Sequence, residues 1–401
     1  MHHRFHMKIE YFLKKEITEL YITNSLRSFG LSLISVFLPI FFIKQGYSLL
    51  DIILYLLINI FLGIILSYTA LKFIAKKGIK HSILVSMPFL LLFFIMLHNI
   101  EKLIITLGKY GFLIILSILS AISVKFYYMG FHVDFAKFTQ IKDSAKQLSF
   151  ITALSILFSV LGPILGALII SYYSFKMLFV IIILIIMSSV TPLFFTKDRP
   201  EAVDFDIKNT FSKEKLKENW PFYAEGIRDY AARIYWPILL YFLLISLSQI
   251  GALFTISNGI LVLFTIYIGK ITKEKNKKRL LRTGTIIHAI SLGIRSFLKT
   301  MSLITIAQGV GAAAFTMIKM PFYSIFYNNS KKRGISKVIF LREIYLHLGR
   351  ATSLLILGSS IFLLQDVRAA LIIAIVVGAI STLFMSKLEE FNEPSEVFSK
   401  T

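Results

Sequence analysis

Apolar stretches of about 20 residues, the length that crosses a hydrocarbon core as a helix, recur along almost the whole of this 401-residue chain. Short polar segments separate them. In order they give twelve, at roughly 17–43, 49–75, 79–98, 108–135, 144–171, 174–196, 222–246, 250–269, 280–298, 301–328, 337–364 and 367–387. Runs such as 179–190 and 371–380 are almost wholly apolar, which a water-facing surface would not tolerate, so the bilayer is the solvent. The alternation of outer-membrane strands is missing, and each segment can satisfy its backbone in lipid only as a helix. The pattern predicts an all-α membrane protein of about twelve transmembrane helices.

The longest polar stretch, 197–220, divides these spans into six plus six. Offsetting the halves by 194 to 198 residues brings Pro39 onto Pro237 and Gly78 onto Asn276, and lays Lys125 with Phe126, Tyr127 and Tyr128 on Lys319 to Phe322. An even number of spans per repeat keeps both copies parallel. The expected organisation is a tail over 1–16, a bundle over 17–196, a linker over 197–221, a second bundle over 222–388 and a tail over 389–401. Two pseudo-symmetric six-helix bundles then enclose a cavity, and since one chain supplies both walls, a monomer is expected.

Net charge is +22, a balance that would suit nucleic acid, but its placement points elsewhere. With the N-terminus in the cytoplasm, about 30 Lys and Arg fall on that side, against Lys44, Lys102, Lys109, Lys176, Lys299 and Arg368 on the other. This asymmetry predicts a multi-pass protein of the cell (plasma or inner) membrane with both termini cytoplasmic, its basic loops meeting membrane lipids, and no nucleic-acid partner. The first apolar run is too long for a signal peptide and contains Arg27, so it reads as a retained span. Cysteine is absent, which excludes disulfides, Cys-ligated zinc and thiol catalysis. His2, His3 and His6 read as a solvated tail, and no metal or cofactor is expected.

The loop after span 2 carries Lys76, Gly78 and Lys80, and its repeat after span 8 carries Gly269, Ile271, Lys277 and Lys278. With the six-plus-six organisation, these resemble the major facilitator superfamily of secondary transporters over essentially the whole chain. In that family the loop holds an Asp; here Ala75 and Lys273 stand in its two places. Gly162-Pro163-Ile164-Leu165-Gly166 in span 5 is similar to a segment of the exporter and antiporter branches, and equally suits close helix packing with a bend. Residues 308–313 resemble a family segment of span 4 but lie in the second half, with Thr305 in place of its Arg, and read as packing. The resemblance implies alternating access by a secondary transporter, a cavity lined by spans 1, 4, 7 and 10, and proton-coupled efflux.

Charges inside spans cost roughly 2.5–3.5 kcal/mol each at a helix centre and so require a partner, water or a use. The basic ones are Arg27, Lys125, Arg228, Arg233, Arg295, Lys319, Arg342 and Arg350; the acids are Asp134, Glu225, Asp229 and Glu343. Arg295 and Arg342 lie near span ends and are expected to snorkel. Glu225, Asp229 and Arg233 share one stripe of span 7 beside Arg228, either as an ion network within that helix or as a gate. Arg27 and Glu225 are equivalent in the two halves, which suggests an ion pair across the pseudo-twofold. Arg27, Lys125, Tyr128, Arg233, Lys319 and Tyr323 are the candidate substrate contacts. The excess of cations favours a small anionic or zwitterionic substrate.

Glu225, Arg228, Asp229 and Glu343 are the candidates for gating, the acids among them for proton coupling. Tyr127, Tyr128, Tyr323 and Tyr327 read as interfacial anchors or as partners of the substrate, and His288 and His347 as packing residues. A lipid or lysolipid translocase on the same fold would need apolar openings between spans 2 and 11 or 5 and 8; a ligand sensor is a third reading. His132 and Asp134 lack a nucleophile, Asp204 and Asp206 lie among lysines, and no nucleotide loop or zinc motif occurs, so enzyme activity is not expected.

Overall fold

The computed structural model describes residues 15–138, 144–194 and 213–391. His2, His3, His6, Asp204 and Asp206 lie outside the described residues. Among the described residues the chain is helical throughout: α1 (Lys15–Ser32), α2 (Leu38–Lys44), α3 (Leu49–Lys77), α4 (Ile79–His98), α5 (Ile100–Phe138), α6 (Ser144–Ser159), α7 (Gly162–Tyr172) and α8 (Phe175–Val190) form the first half. The second comprises α9 (Lys213–Tyr230), a π-helical turn (Ala231–Tyr235), α10 (Trp236–Phe242), α11 (Leu247–Ile271), α12 (Lys277–Ile294), α13 (Met301–Arg333), α14 (Ile335–Leu364) and α15 (Val367–Phe384). Nine of the helices among the described residues are long and apolar enough to cross a membrane. Spans 1, 7 and 9 fall short because a break or a polar end interrupts the apolar run.

The breaks are where the backbone departs from uninterrupted spans, and they repeat. Span 1 is interrupted over 33–37 and span 7 over 231–235, each followed by a seven-residue helix, α2 or α10, with proline in its first turn. Proline has no N–H for the carbonyl four residues earlier and its ring crowds that carbonyl. In span 7 this frees Arg233, and the turn widens to π. Gly46 and Leu244 then take positive φ of 79° and 62°. Ser48 with Asp51, and Ser246 with Gln249, close capping boxes at the starts of α3 and α11. All these pairs share one offset, so the duplication is recorded in the backbone as well as in the side chains.

The segment 162–166 packs helices. A Cβ at Gly166 would overlap the Leu33 carbonyl, and one at Gly162 the Ser32 side chain, so α7 lies directly on the break of span 1. Pro163 also interrupts span 5, and the Ile164 N–H donates to Thr255 Oγ1 of α11 at 3.1 Å. Gly251 and Gly269 bring α11 against Pro163 and Ser149 respectively. Thr255→Val, which keeps the shape and removes the acceptor, is expected to cost about 1 kcal/mol, read as a lower melting temperature in detergent; an unchanged melting point would mean that another acceptor serves Ile164.

The loops at Gly78, 272–276 and Gly334 lie on one side, called here the basic side. Gly78, at φ 102°, alone joins α3 to α4, a conformation that side chains resist. Although Ala75 and Lys273 replace the acids of the resembled motif, its lysines have found others. Lys80 pairs with Glu19 of α1 at 2.6 Å, and Lys277 pairs with Glu274 and, at 3.2 Å, with Glu390. Glu390 also accepts from Asn328, and the Arg333 guanidinium stacks 3.3 Å over the Phe391 ring, which fastens the last described residues to α12 and α13.

Candidate functional site

Spans 7 and 11 touch backbone to backbone at the centre of the second half. A Cβ on Gly226 would overlap the Leu346 carbonyl, and one on Gly349 would overlap the Tyr223 carbonyl. Because nothing larger than hydrogen separates the helices here, the carboxylates of α9 meet the guanidinium groups of α14. Arg342 Nη2 donates to both Glu225 oxygens, at 3.1 and 3.2 Å, and to Tyr323 Oη at 2.7 Å; Nη1 donates to Glu343 Oε1 at 2.6 Å. Tyr323 Oη in turn donates to Glu225 Oε1 at 2.6 Å. One turn on, Arg350 donates to Asp229 at 2.7 Å, while Arg233 reaches the other Asp229 oxygen at 3.4 Å.

This network crosses to the first half at one buried ion pair, in which Lys125 Nζ donates to Glu343 Oε2. Toward the basic side the same two halves are sealed by His132 and Tyr327, whose Nδ1 and Oη lie 2.8 Å apart, and by the Phe135 and Tyr327 rings, 4.5 Å between centroids. Toward the opposite side the short helices α2 and α10 touch. Between these contacts Tyr128 is 40% exposed and the Arg233 side chain 67% exposed. Lys319 is half-buried, has no ion pair or hydrogen bond among the described residues, and lies within electrostatic reach of Arg228, Arg233 and Glu225. The Tyr128 phenol stands within similar reach of Arg233 across the halves.

Behind Tyr128, Arg27 is buried with its guanidinium 3.7 Å over the Tyr127 ring and 5.7 Å from that of Tyr128. A desolvated cation on an aromatic face gains about 2 kcal/mol or more, and Tyr127 is itself held by Asn24 through a 2.7 Å hydrogen bond. On the far side of span 7, Arg228 lies 3.8 Å over Phe315 and donates from Nε to His288 Nε2 at 3.3 Å, while His288 Nδ1 faces the Gly311 carbonyl at 2.9 Å. That geometry assigns the proton of a neutral imidazole to Nδ1. Seven cations (Arg27, Lys125, Arg228, Arg233, Lys319, Arg342 and Arg350) thus surround three carboxylates, Glu225, Asp229 and Glu343.

Several expectations are corrected. Arg27 and Glu225 do not pair; each binds within its own half, Arg27 on Tyr127 and Glu225 on Arg342. Arg342 and Arg295 do not snorkel. Arg342 is wrapped by α9 and α13, and Arg295 is buried 4.8 Å over Trp236, with Gln308 Oε1 accepting from it at 3.4 Å and from Trp236 at 2.6 Å. Tyr127 and Tyr327 are buried and hydrogen-bonded, not interfacial. The span 7 charges form a network chiefly with span 11, not within their own helix. Arg350 stands in the sequence only as a charge inside a span, without a role in the site, and the Gly226–Gly349 contact is not read there; the signal for it is a Gly close before an Arg in each span, Gly226 with Arg228 and Gly349 with Arg350.

No family model matches the chain. An uncharacterized protein of Bacillus subtilis (strain 168), YqgE, is 23% identical over 386 residues, covering 90% of this chain and 87% of its own. Among solved structures, the E. coli fucose:proton symporter FucP superposes with a TM-score of 0.66 at 14% identity over 95% of this chain and all of its own. A FucP structure in the outward conformation gives 0.65. The human organic anion transporter MFSD10 (TETRAN) gives 0.59 at 11% identity, covering 93% of this chain and 99% of its own. Two pseudo-symmetric six-helix halves with this superposition establish that the chain has the fold of the major facilitator superfamily transporters.

Proposed function

We propose that the chain is a secondary active transporter that carries a small anionic or zwitterionic solute by alternating access, with the solute held between Arg233, Lys319 and Tyr128. The observation that carries this reading is the accessible, unneutralised positive charge between the halves: Lys319 without a carboxylate partner beside Arg233, which holds Asp229 only at 3.4 Å. Such charge in a low-dielectric cleft concentrates anions. Arg27 positions the Tyr127 and Tyr128 rings, Lys125 and Glu343 tie the halves, and Arg342 links Glu343 to Glu225 and Tyr323. The basic loops support a cell-membrane protein with cytoplasmic termini. Gly162 and Gly166 pack α7 against the break of span 1, which suits the packing reading of that segment; the direction of transport and antiport rest on the motif alone.

The solute reading is favoured over lipid translocation by the seams. Gly251 and Gly269 bring α11 onto span 5, and His347 against Gly63 and Phe340 against Tyr68 bring α14 onto α3, close contact where lipid translocation would need an opening. The test is thermal stabilisation of the purified protein by succinate, benzoate, glycerol phosphate, tetraethylammonium and lysophosphatidylglycerol, since a ligand of the native state raises the melting temperature by mass action. Anions are expected to stabilise. Lys319→Met and Arg233→Met should each weaken the effective anion ~10- to 100-fold, the loss of one charge-assisted hydrogen bond. Stabilisation by the lipid alone, or anion binding indifferent to both substitutions, would reject the reading.

A further inference from the structure

Resting on the anion-transport reading, we infer that His347 is the proton site of the transport cycle, taking up a proton at Nδ1 when the anion binds, so that anion and proton move together. His347 is buried in α14, one turn beyond Glu343 and one before Arg350, and its Nδ1 is shielded from solvent with no hydrogen-bond partner. A buried polar nitrogen left unmatched is costly and uncommon in a settled packing role. Its Nε2 edge is pressed into the space over Gly63 of α3, where the Lys125 methylene next to the amine also lies; a Cβ at Gly63 would overlap the imidazole. Glycine there makes the room that lets one imidazole stand beside the only ion pair found between the halves among the described residues.

The charges around the ring determine the sign of the coupling. From α5 it faces Lys125, and from its own helix Glu343, Arg342 and Arg350; α3 presents Gly63 and no titratable group at this contact. Three cations against one carboxylate oppose an added proton as long as the site is empty. Tyr128 lies three residues after Lys125 on α5, and Arg350 is joined through Asp229 to Arg233, so an anion held by Arg233, Lys319 and Tyr128 is linked through these groups to the cations that repel the proton. Its charge lowers that repulsion in a poorly screened setting. Linkage is reciprocal: if the anion raises the proton affinity of His347, the proton raises the affinity for the anion by the same factor. Anion affinity therefore strengthens as pH falls through the imidazole range.

The experiment is titration calorimetry of the full-length protein in detergent with succinate, benzoate and glycerol phosphate, between about pH 6 and 8 where imidazoles titrate. Two buffers of different ionisation enthalpy report the protons exchanged. The expected result is uptake of close to one proton per bound anion over part of that range, with affinity changing by up to tenfold per pH unit there. His347→Gln and His347→Asn, checked by melting temperature, should take up about one proton fewer than the native protein with the same anion at the same pH, with a correspondingly shallower pH profile. A purely structural histidine would alter stability without altering proton stoichiometry. Anion binding without proton uptake in the native protein, or unchanged uptake in either folded variant, would overturn the inference while leaving the anion-transport reading intact. No binding of any of the three anions would remove the parent reading and this one with it.

Discussion

Glu343→Gln is expected to destabilise the observed arrangement of the halves by about 3–5 kcal/mol, the usual consequence of stranding a buried charge by removing its partner. Lys125 would keep its charge with Arg350 and Arg342 nearby and lose the only carboxylate that it contacts among the described residues. Lys125→Met should do comparable harm by leaving Glu343 with Arg342 alone. The double variant is expected to recover most of the loss, because replacing both members of a buried pair by neutral groups is frequently neutral or better. Melting temperatures of the four proteins form the cycle, and a double variant as unstable as its worse parent would show that the pair is not the coupling element. The chain contains no cysteine, so cysteines at positions 137 and 331, where Lys331 Nζ donates to the Lys137 carbonyl at 3.5 Å across the basic side, can report with a bifunctional thiol reagent whether the lost energy appears as separation of the halves.

Gly349→Val is expected to be the most damaging uncharged substitution in the second half. Its Cβ would coincide with the Tyr223 carbonyl, part of a helix backbone that cannot swing aside as a side chain can. Overpacking commonly costs about 1–3 kcal/mol. Here the displacement would also stretch the Glu225–Arg342 and Asp229–Arg350 bonds that depend on the helices touching. The combined effect should appear as loss of folded protein on size-exclusion chromatography at native growth temperature, with partial recovery for Gly349→Ala. By contrast, Gly358→Val should be tolerated, since the first atom its Cβ would meet is Ile53 Cδ1 at 3.8 Å. Equal yields for the two valine variants would remove the backbone contact from the account of the site.

The membrane fold and the existence of a charged centre were legible because both follow from transfer energies: apolar runs long enough to cross, and charges too costly to be incidental. The pairing was not. Arg27 and Glu225 are equivalent under the pseudo-twofold, but equivalence relates two positions by rotation and brings them together only near the axis. What the symmetry does preserve is the kind of neighbour, since each residue binds a tyrosine of the fourth span in its own half, Tyr127 or Tyr323. Arg342 lies near a span end in the sequence, which points to the lipid headgroups only where that end is free of neighbours. That end of α14 is instead enclosed by α9 and α13. The replacement of the loop acids by Glu19 and Glu390 was likewise hidden, because those partners lie some 60 to 110 residues away in sequence.

The two interrupted spans differ in shape but not in residue count. Residues 33–37 form a hydrogen-bonded turn and 231–235 a π-helical turn, yet the helices that follow, α2 and α10, begin and end at the same offset. Nothing was therefore inserted to make the wide turn in span 7; an equal length of chain has settled into a second backbone form. At this place the two halves differ in backbone form and not in length, so Arg233 keeps a 67% exposed side chain while Pro237, Ser246 and Gln249 stay in step with Pro39, Ser48 and Asp51.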